Sequence, residues 1–506
     1  MKFRIEVALA LACLAPPVAA QAPEPVRAGS DAAASITAPD VARRVGILAD
    51  DSMMGRDTPS RGLEMTAKYV ADEFRRFGLK PGAANGTWFQ QYPITRRRLQ
   101  PAQSRVVLKA GGTSATARLD ATARHVSGDI PSQPVAGPVI LVGGPVTPDA
   151  VGAMKLRDKV VLYVHDYSTT IPMNATQVAR ALRVSGARAI IAISSLDSVA
   201  FSARVPKYGA ERYGIELRTG SPPSVEVSES VVMPVLRAAG VSLADVRRAA
   251  RPVSRDLPGS TATVDLKETV IDSLDAPNTI GILEGSDPVL RNEYLVFSAH
   301  MDHVGITPGL PDSINNGADD NASGTTGVIE LAEAFSRPGA RPRRSIIFLT
   351  VSGEEKGLWG SRWFSEHPAV PLEQLVADVN IDMIGRNWAD TIVAIGKEHS
   401  DLGATLERVN AAHPELGMIA IDDRWPEERF YFRSDHYNFA RKGVPAIFFF
   451  NGVHEDYHRV TDSPEKINSE KESRILRLLY YFGKEIGDAP ERPKWNAESR
   501  RLIVEE

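Results

Sequence analysis

Four apolar runs in the C-terminal half of the chain, EYLVFSAH, RSIIFLTVSGEE, LVADVNIDMIG and GVPAIFFFNG, are short and nearly unbroken, and polar residues follow each of them. Such runs predict strands buried on both faces, because a strand with one wet face would alternate apolar and polar positions. Between them lie segments with apolar residues at helical spacing, GVIELAEAF being the clearest. Strand and helix therefore alternate from about residue 275 onward. That alternation predicts an α/β fold, a mostly parallel central sheet flanked by helices. Nearer the N-terminus, GLEMTAKYVADEFRRFGLKPG carries Leu63, Ala67, Val70, Phe74 and Phe77 at spacings of four and three. This predicts an amphipathic helix stopped by Gly78 and Pro81. A helix is also expected from Ala38, and strands at WFQQYPI and SRVVLKA.

The texture changes between residues 125 and 265. PVILVGG, KVVLYVHDY and ARAIIAISS are short β-rich runs separated by turn residues, and no catalytic constellation accompanies them. They predict a small β-rich domain, 125–265, spliced into a larger one made of 23–124 and 266–506.

Composition narrows the class of function. With 43% hydrophobic and 24% charged residues the chain is ordinary globular protein, and 506 residues suffice for more than one domain. A net charge of −4 gives no electrostatic footprint for a nucleic-acid partner. Lys2 and Arg4 precede the apolar run VALALACLA, and the small residues of PPVAAQA follow, with Glu6 an unusual charge beside the run. This reads as a signal peptide, residues 1–22, of a secreted or periplasmic protein. No other run is long and apolar enough for a transmembrane anchor. Cys13 is the only cysteine, so cleavage of such a signal leaves none. Disulfides, thiolate metal sites and a cysteine nucleophile are then excluded, and any metal must be held by His, Asp and Glu.

Those residue types gather where the strands end. The first run ends in His300, within AHMDH. The second leads to Glu354 and Glu355, the third to Asp382, and the fourth to His454 and His458. GADDNASG, with Asp319 and Asp320, precedes the helix between the first two strands. In open α/β sheets, ligands bind beyond the carboxyl ends of the strands, so these groups should converge. Histidine with carboxylate suits a borderline divalent ion such as zinc. The set exceeds the needs of one tetrahedral ion and matches two zinc ions sharing a carboxylate. One glutamate of the adjacent pair is then left to handle protons. The residues alone leave open which of Asp319 and Asp320, and which of His454 and His458, joins the set.

AHMDHVG, GADDNASG, SGEEKGLWGS, NIDMIG, SDHYNFARKGVPAIFF and YHRVTD, in this order, resemble metallopeptidase family twenty-eight. That family includes secreted di-zinc aminopeptidases, glutamate carboxypeptidase, glutaminyl cyclase and a receptor ectodomain. The resemblance covers residues 275–485 and extends to the segment from GRDTPSRGLEM to WFQQYPI. It implies a zinc exopeptidase-like fold with a protease-associated-like insert. It further implies that His300 and Asp382 hold one zinc, that Glu355 and His458 hold the other, and that Asp320 bridges them. Glu354 is the implied general base. Asp302 is implied to accept from the second ring nitrogen of His300, and the Asp320–Asn321 peptide is implied to be cis. Asp319 is left as loop or helix cap.

The implied activity is aminopeptidase, with peptides as substrates. A carboxypeptidase needs cations for a terminal carboxylate, and Arg429 and Arg433 in EERFYFRSDH are candidates. A glutaminyl cyclase and a non-enzymatic binding protein are further alternatives, although every position of the two-zinc set is intact. Asp435 and His436 either shape the substrate pocket or pack its wall. Tyr431 and Phe432 either line a hydrophobic specificity pocket or belong to the core. The insert either restricts access to the site or binds a partner.

Overall fold

The four apolar runs form the strands Tyr294–His300, Ser345–Val351, Leu375–Ile381 and Ala446–Phe449. These belong to a computed structural model that describes residues 32–505 apart from 165–171, 206–210, 216–219 and 310. The predicted signal peptide lies outside the described residues. Every residue of Ser345–Val351 and Leu375–Ile381 is buried, which is why the sequence shows no alternation. The strands lie in the order 446–449, 375–381, 294–300, 345–351 and all pair in parallel.

Helices close both faces. On one, Val328, Leu331 and Phe335 of Gly324–Ser336 and Ile475, Leu479 and Phe482 of Ser469–Asp488 pack on Phe297, Phe348 and Phe449. On the other, Phe364 and Phe439 meet Val296, Ile347 and Leu349. Residues 295 to 297 thus alternate between two apolar layers, as the period of a strand requires. Helices Ala38–Leu48 and Arg61–Arg76 form where the pattern placed them. Ser60 caps the second by accepting from the Leu63 amide, and Gly78 takes φ +77 just beyond it.

The parallel strands are the centre of a larger mixed sheet. Glu268–Leu283 pairs antiparallel with Ser345–Val351, and Phe89–Leu99 pairs antiparallel with Glu268–Leu283. At the other side Thr391–Ile395 runs antiparallel to Ala446–Phe449. A second sheet of eight strands, with its own core, follows Phe89–Leu99. It is not confined to 125–265. Arg105–Ala110 and Thr113–Arg118 belong to it, through antiparallel pairing of the former with Val253–Asp265. Conversely, Glu211–Ile215 joins the large sheet beside Phe89–Leu99. Strand pairing, which sequence texture does not report, decides both memberships. No helix among the described residues is long and apolar enough to cross a membrane.

Candidate metal centre

Parallel pairing delivers the C-terminal ends of the central strands to one edge of the sheet. His300 ends its strand, Glu354 and Glu355 follow Ser345–Val351, and Asp382 directly follows Leu375–Ile381. His458 lies in the loop after Ala446–Phe449 and has φ +55. Asp320 comes from the turn before helix Gly324–Ser336, and its peptide bond to Asn321 is cis.

The two oxygens of Asp320 face different partners. Oδ1 lies 3.4 Å from His300 Nε2, which is itself 3.3 Å from Asp382 Oδ1. Oδ2 lies 3.1 Å from His458 Nε2, which is 3.1 Å from Glu355 Oε2. Tetrahedral zinc with ligand bonds of about 2.0–2.1 Å would separate its donor atoms by roughly 3.3–3.4 Å. Asp320 Oδ2 and Asp382 Oδ1 are buried with no hydrogen-bond partner among the described residues. Buried carboxylate oxygens at ligand spacing, with imidazole nitrogens between them, fit a divalent cation.

Surrounding contacts fix the donors. His300 Nδ1 is 3.2 Å from the Asp302 carbonyl oxygen and 3.7 Å from its carboxylate. A proton on Nδ1 is therefore shared with the backbone, and Nε2 faces Asp320 and Asp382. The Asp302 carboxylate instead accepts from Thr58 Oγ1 at 3.0 Å and the Glu354 amide at 3.3 Å. Asp382 Oδ2 accepts from Ser434 Oγ at 3.0 Å. Burial opposes a charge on His300, but Asp382, Glu354 and Asp320 outweigh it and raise its pKa well above the ordinary value. Glu354 is in neither donor group. It lines a cavity of about 50 Å³ together with His300, Asp320, Asp382, Phe430, Phe448, Phe450 and Tyr457. Burial first, then Asp435, Glu355 and Asp382 against the opposing pull of His300, push its carboxyl well above the usual range.

Several residues have roles the sequence left open or missed. Asp319 is neither a helix cap nor a solvated loop residue. Its Oδ1 accepts from the Gly385 amide at 2.6 Å, and its Oδ2 lies 3.2 Å from His454 Nε2. His454 thereby anchors the loop that carries His458. Asp462, within the quoted YHRVTD, accepts from the amides of both Asp319 and Asp320 at 3.1 Å. His303 is fully buried, with Nδ1 3.0 Å from Glu355 Oε1. It stands at the close of AHMDH, so its signal was present. Tyr457 stacks on His458 at 3.9 Å and lines the cavity.

The SDHYNF segment supplies the wall. His436 stacks on Phe448 at 4.6 Å, and burial pushes its pKa down to about 3. Burial likewise pushes Asp435 up to about 7. Tyr431 is core, packed against His399 and His436, and Phe432 packs on Tyr437. Phe430, not these two, lines the cavity. Arg433 also lines it, lying over the Phe430 ring and paired with Glu428 at 3.2 Å. Arg429 lies over the Phe432 ring.

Comparison with known proteins bears on this geometry. The family model described as Peptidase family M28 matches residues 278–483. Leupeptin-inactivating enzyme 1 of Streptomyces exfoliatus is 30% identical over 191 residues, 37% of this chain and 38% of that protein. Aminopeptidase YwaD of Bacillus subtilis (strain 168) is 26% identical over 226 residues, 42% of this chain and 44% of that one. The chain thus spans less than half the length of these curated relatives in its matches. Among solved structures, an aminopeptidase from Aneurinibacillus sp. strain AM-1 superposes with a TM-score of 0.49 at 18% identity, covering 91% of this chain and 97% of that one.

Proposed function

We propose, from the premise that residues 278–483 form a domain of peptidase family M28, that this protein is a metal-dependent aminopeptidase. The observation that carries the reading is Asp320, whose two oxygens face two separate donor groups. His300, Asp382 and Asp320 would hold one ion, and Glu355, His458 and Asp320 the other. Two zinc ions, when bound, would supply Lewis-acid polarisation of the scissile carbonyl and lower the pKa of a water.

The chain's own groups do the rest. Glu354, free of both donor groups and facing the cavity, takes the proton of the attacking water and delivers it to the leaving amine. Asp302 fixes this base through the Glu354 amide. Tyr457 lines the same cavity, and its phenol is the group we assign to donate to the developing oxyanion. The cavity is small and walled by Phe430, Phe448 and Phe450, which suits one apolar terminal side chain. The carboxylates beside it favour the ammonium of a peptide N-terminus. Arg433 is the one arginine or lysine lining the cavity among the described residues, and it is already engaged by Glu428.

The N-terminal pattern supports a secreted or periplasmic protein with residues 1–22 as its signal. The eight-stranded sheet supports an inserted, protease-associated-like domain that limits access to the site or binds a partner.

The test is mass spectrometry of an unblocked mixed-sequence peptide that starts with Gln, incubated with the zinc-loaded protein. The expected result is a ladder shortening from the N-terminus and abolished by a chelator. Shortening from the C-terminus would replace this reading with a carboxypeptidase using Arg433. Loss of ammonia without shortening would make it a cyclase, and an untouched peptide would leave a binding protein.

A further inference from the structure

His303 has no part in the donor groups set out above, yet it is fully buried beside one of them. Its Nδ1 lies 3.0 Å from Glu355 Oε1 and 3.7 Å from Asp320 Oδ2. His458 Nε2 makes the corresponding approaches at 3.1 and 3.1 Å. The two imidazoles therefore address the same pair of carboxylates. Their rings stand 5.7 Å apart and 72° to one another, an edge-on approach and not stacking.

The backbone around His303 is arranged to admit its ring. Gly317 has φ +57, and a Cβ there would come within 2.5 Å of His303 Cγ and 2.2 Å of the Asp320 carbonyl oxygen. Any side chain at 317 would push the imidazole away from Glu355 or shift the bridging aspartate. The His303 amide donates to the Arg56 carbonyl at 3.3 Å, so the residue is held from its backbone as well.

We propose that His303 is a protein ligand of the second ion, together with Glu355, His458 and Asp320. The proposal rests on the two-metal reading and adds an asymmetry to it. The second centre then has four protein donors, the number that saturates a tetrahedral ion. The His300 centre has three and keeps an open position, as catalytic zinc sites do. The fuller centre fills first and releases its ion last, and the open centre exchanges.

The competing role is a hydrogen bond from His303 to Glu355 that only orients the carboxylate. His303→Gln separates the two, because a Gln amide can donate to Glu355 but is a poor zinc ligand. Metal content and zinc affinity are measured by chelator competition on wild type, His303→Gln, His303→Ala and His458→Gln. Ligation predicts that both His303 variants lose one ion of two, the same ion as His458→Gln, with affinity reduced by more than about 100-fold. That exceeds the 10–100-fold typical of a residue acting through a ligand. A His303→Gln protein that keeps both ions within about tenfold of wild-type affinity overturns the proposal and leaves the two-metal reading intact.

X-ray absorption at the zinc edge of the wild type decides the matter if the variants do not fold. Three imidazoles per pair of ions support the proposal, and two overturn it. A wild type that takes up fewer than two ions fails the two-metal reading itself, and the proposal with it.

Discussion

Glu354 and Glu355 are neighbours in sequence with opposite surroundings. Glu355 is held between His303 and His458, whereas Glu354 lines the cavity. Glu354→Gln should therefore lower kcat by about 10²–10⁴-fold, the usual worth of a positioned acid–base group, while metal content stays at the wild-type value. Turnover within a few-fold of wild type would remove Glu354 from the mechanism. Asp302 acts at one remove. Asp302→Ala leaves Thr58 Oγ1 and the Glu354 amide without their acceptor. Activity or metal affinity should fall about 10–100-fold, as for other residues that support metal ligands. A kcat and a zinc titration that both match wild type would assign Asp302 to packing alone. At this scale the sequence was legible in the convergence of polar residues at or just beyond the ends of buried strands, as His300, Glu355 and Asp382 each lie against Asp320 or a histidine that does. It was illegible where function depended on which way a side chain turned. Asp319 turns toward Gly385 and His454 while its neighbour turns to the donor groups, and Phe430 replaces Tyr431 and Phe432 at the cavity.

Loops and strand ends carry these residues, and a buried arginine ties two of those segments together. Arg56 is 1% exposed and donates to the carbonyls of Leu48, Met301, Asn316 and Gly317 at 2.6–3.0 Å. Met301 lies between His300 and Asp302, and Gly317 precedes the Asp319–Asp320 turn, so one guanidinium sets the spacing between two donor segments. Burial lowers its pKa to about 10, against the opposing pull of Asp320, Asp462, Asp302 and Glu355, and it stays charged at neutral pH. Arg56→Met strands four buried acceptors, each worth about 1–3 kcal/mol when left unpaired. Urea unfolding should show a loss of at least about 3 kcal/mol, with zinc affinity lowered alongside it. A variant as stable as wild type would show that water replaces the guanidinium. GRDTPSRGLEM was legible as family-like sequence, but nothing in its pattern announces an arginine reaching the far loops. The central strands were legible because burial on both faces leaves a contiguous apolar signature. Membership of Arg105–Ala110 in the second sheet was not, because an alternating strand looks alike whichever sheet receives it.

Across the whole molecule, folding gathers more carboxylate at the end of the sheet than its own cations neutralise. Asp302, Asp320, Glu354, Glu355, Asp382, Asp435 and Asp462 share one region with Arg56 and a few imidazoles. Burial raises Asp302 to about 6, Asp435 to about 7 and Asp462 to about 6 in the metal-free protein, from an ordinary value of 3.8. A carboxyl whose pKa is raised by folding binds its proton more tightly in the folded state. The stability it contributes is complete below pH 4 and is lost as pH rises through 6 to 7. A shift of two units is worth on the order of 3 kcal/mol for one buried group, so the metal-free protein should weaken steeply between pH 5 and 7.5. Cations in the two donor groups would reverse the local balance, attracting the carboxylates in their ionised form. Zinc at 100 times its Kd adds about 2.7 kcal/mol by mass action, and it should add more at pH 7.5 than at pH 5.5, because ligands must be deprotonated to bind. Urea unfolding of chelated and zinc-loaded protein at both pH values measures this. The gap between the two forms should widen with pH, mostly through loss of stability in the chelated form. An equal gap at the two values would mean that the carboxylate cluster is already neutralised within the protein, and that metal binding contributes to catalysis without holding the sheet end together.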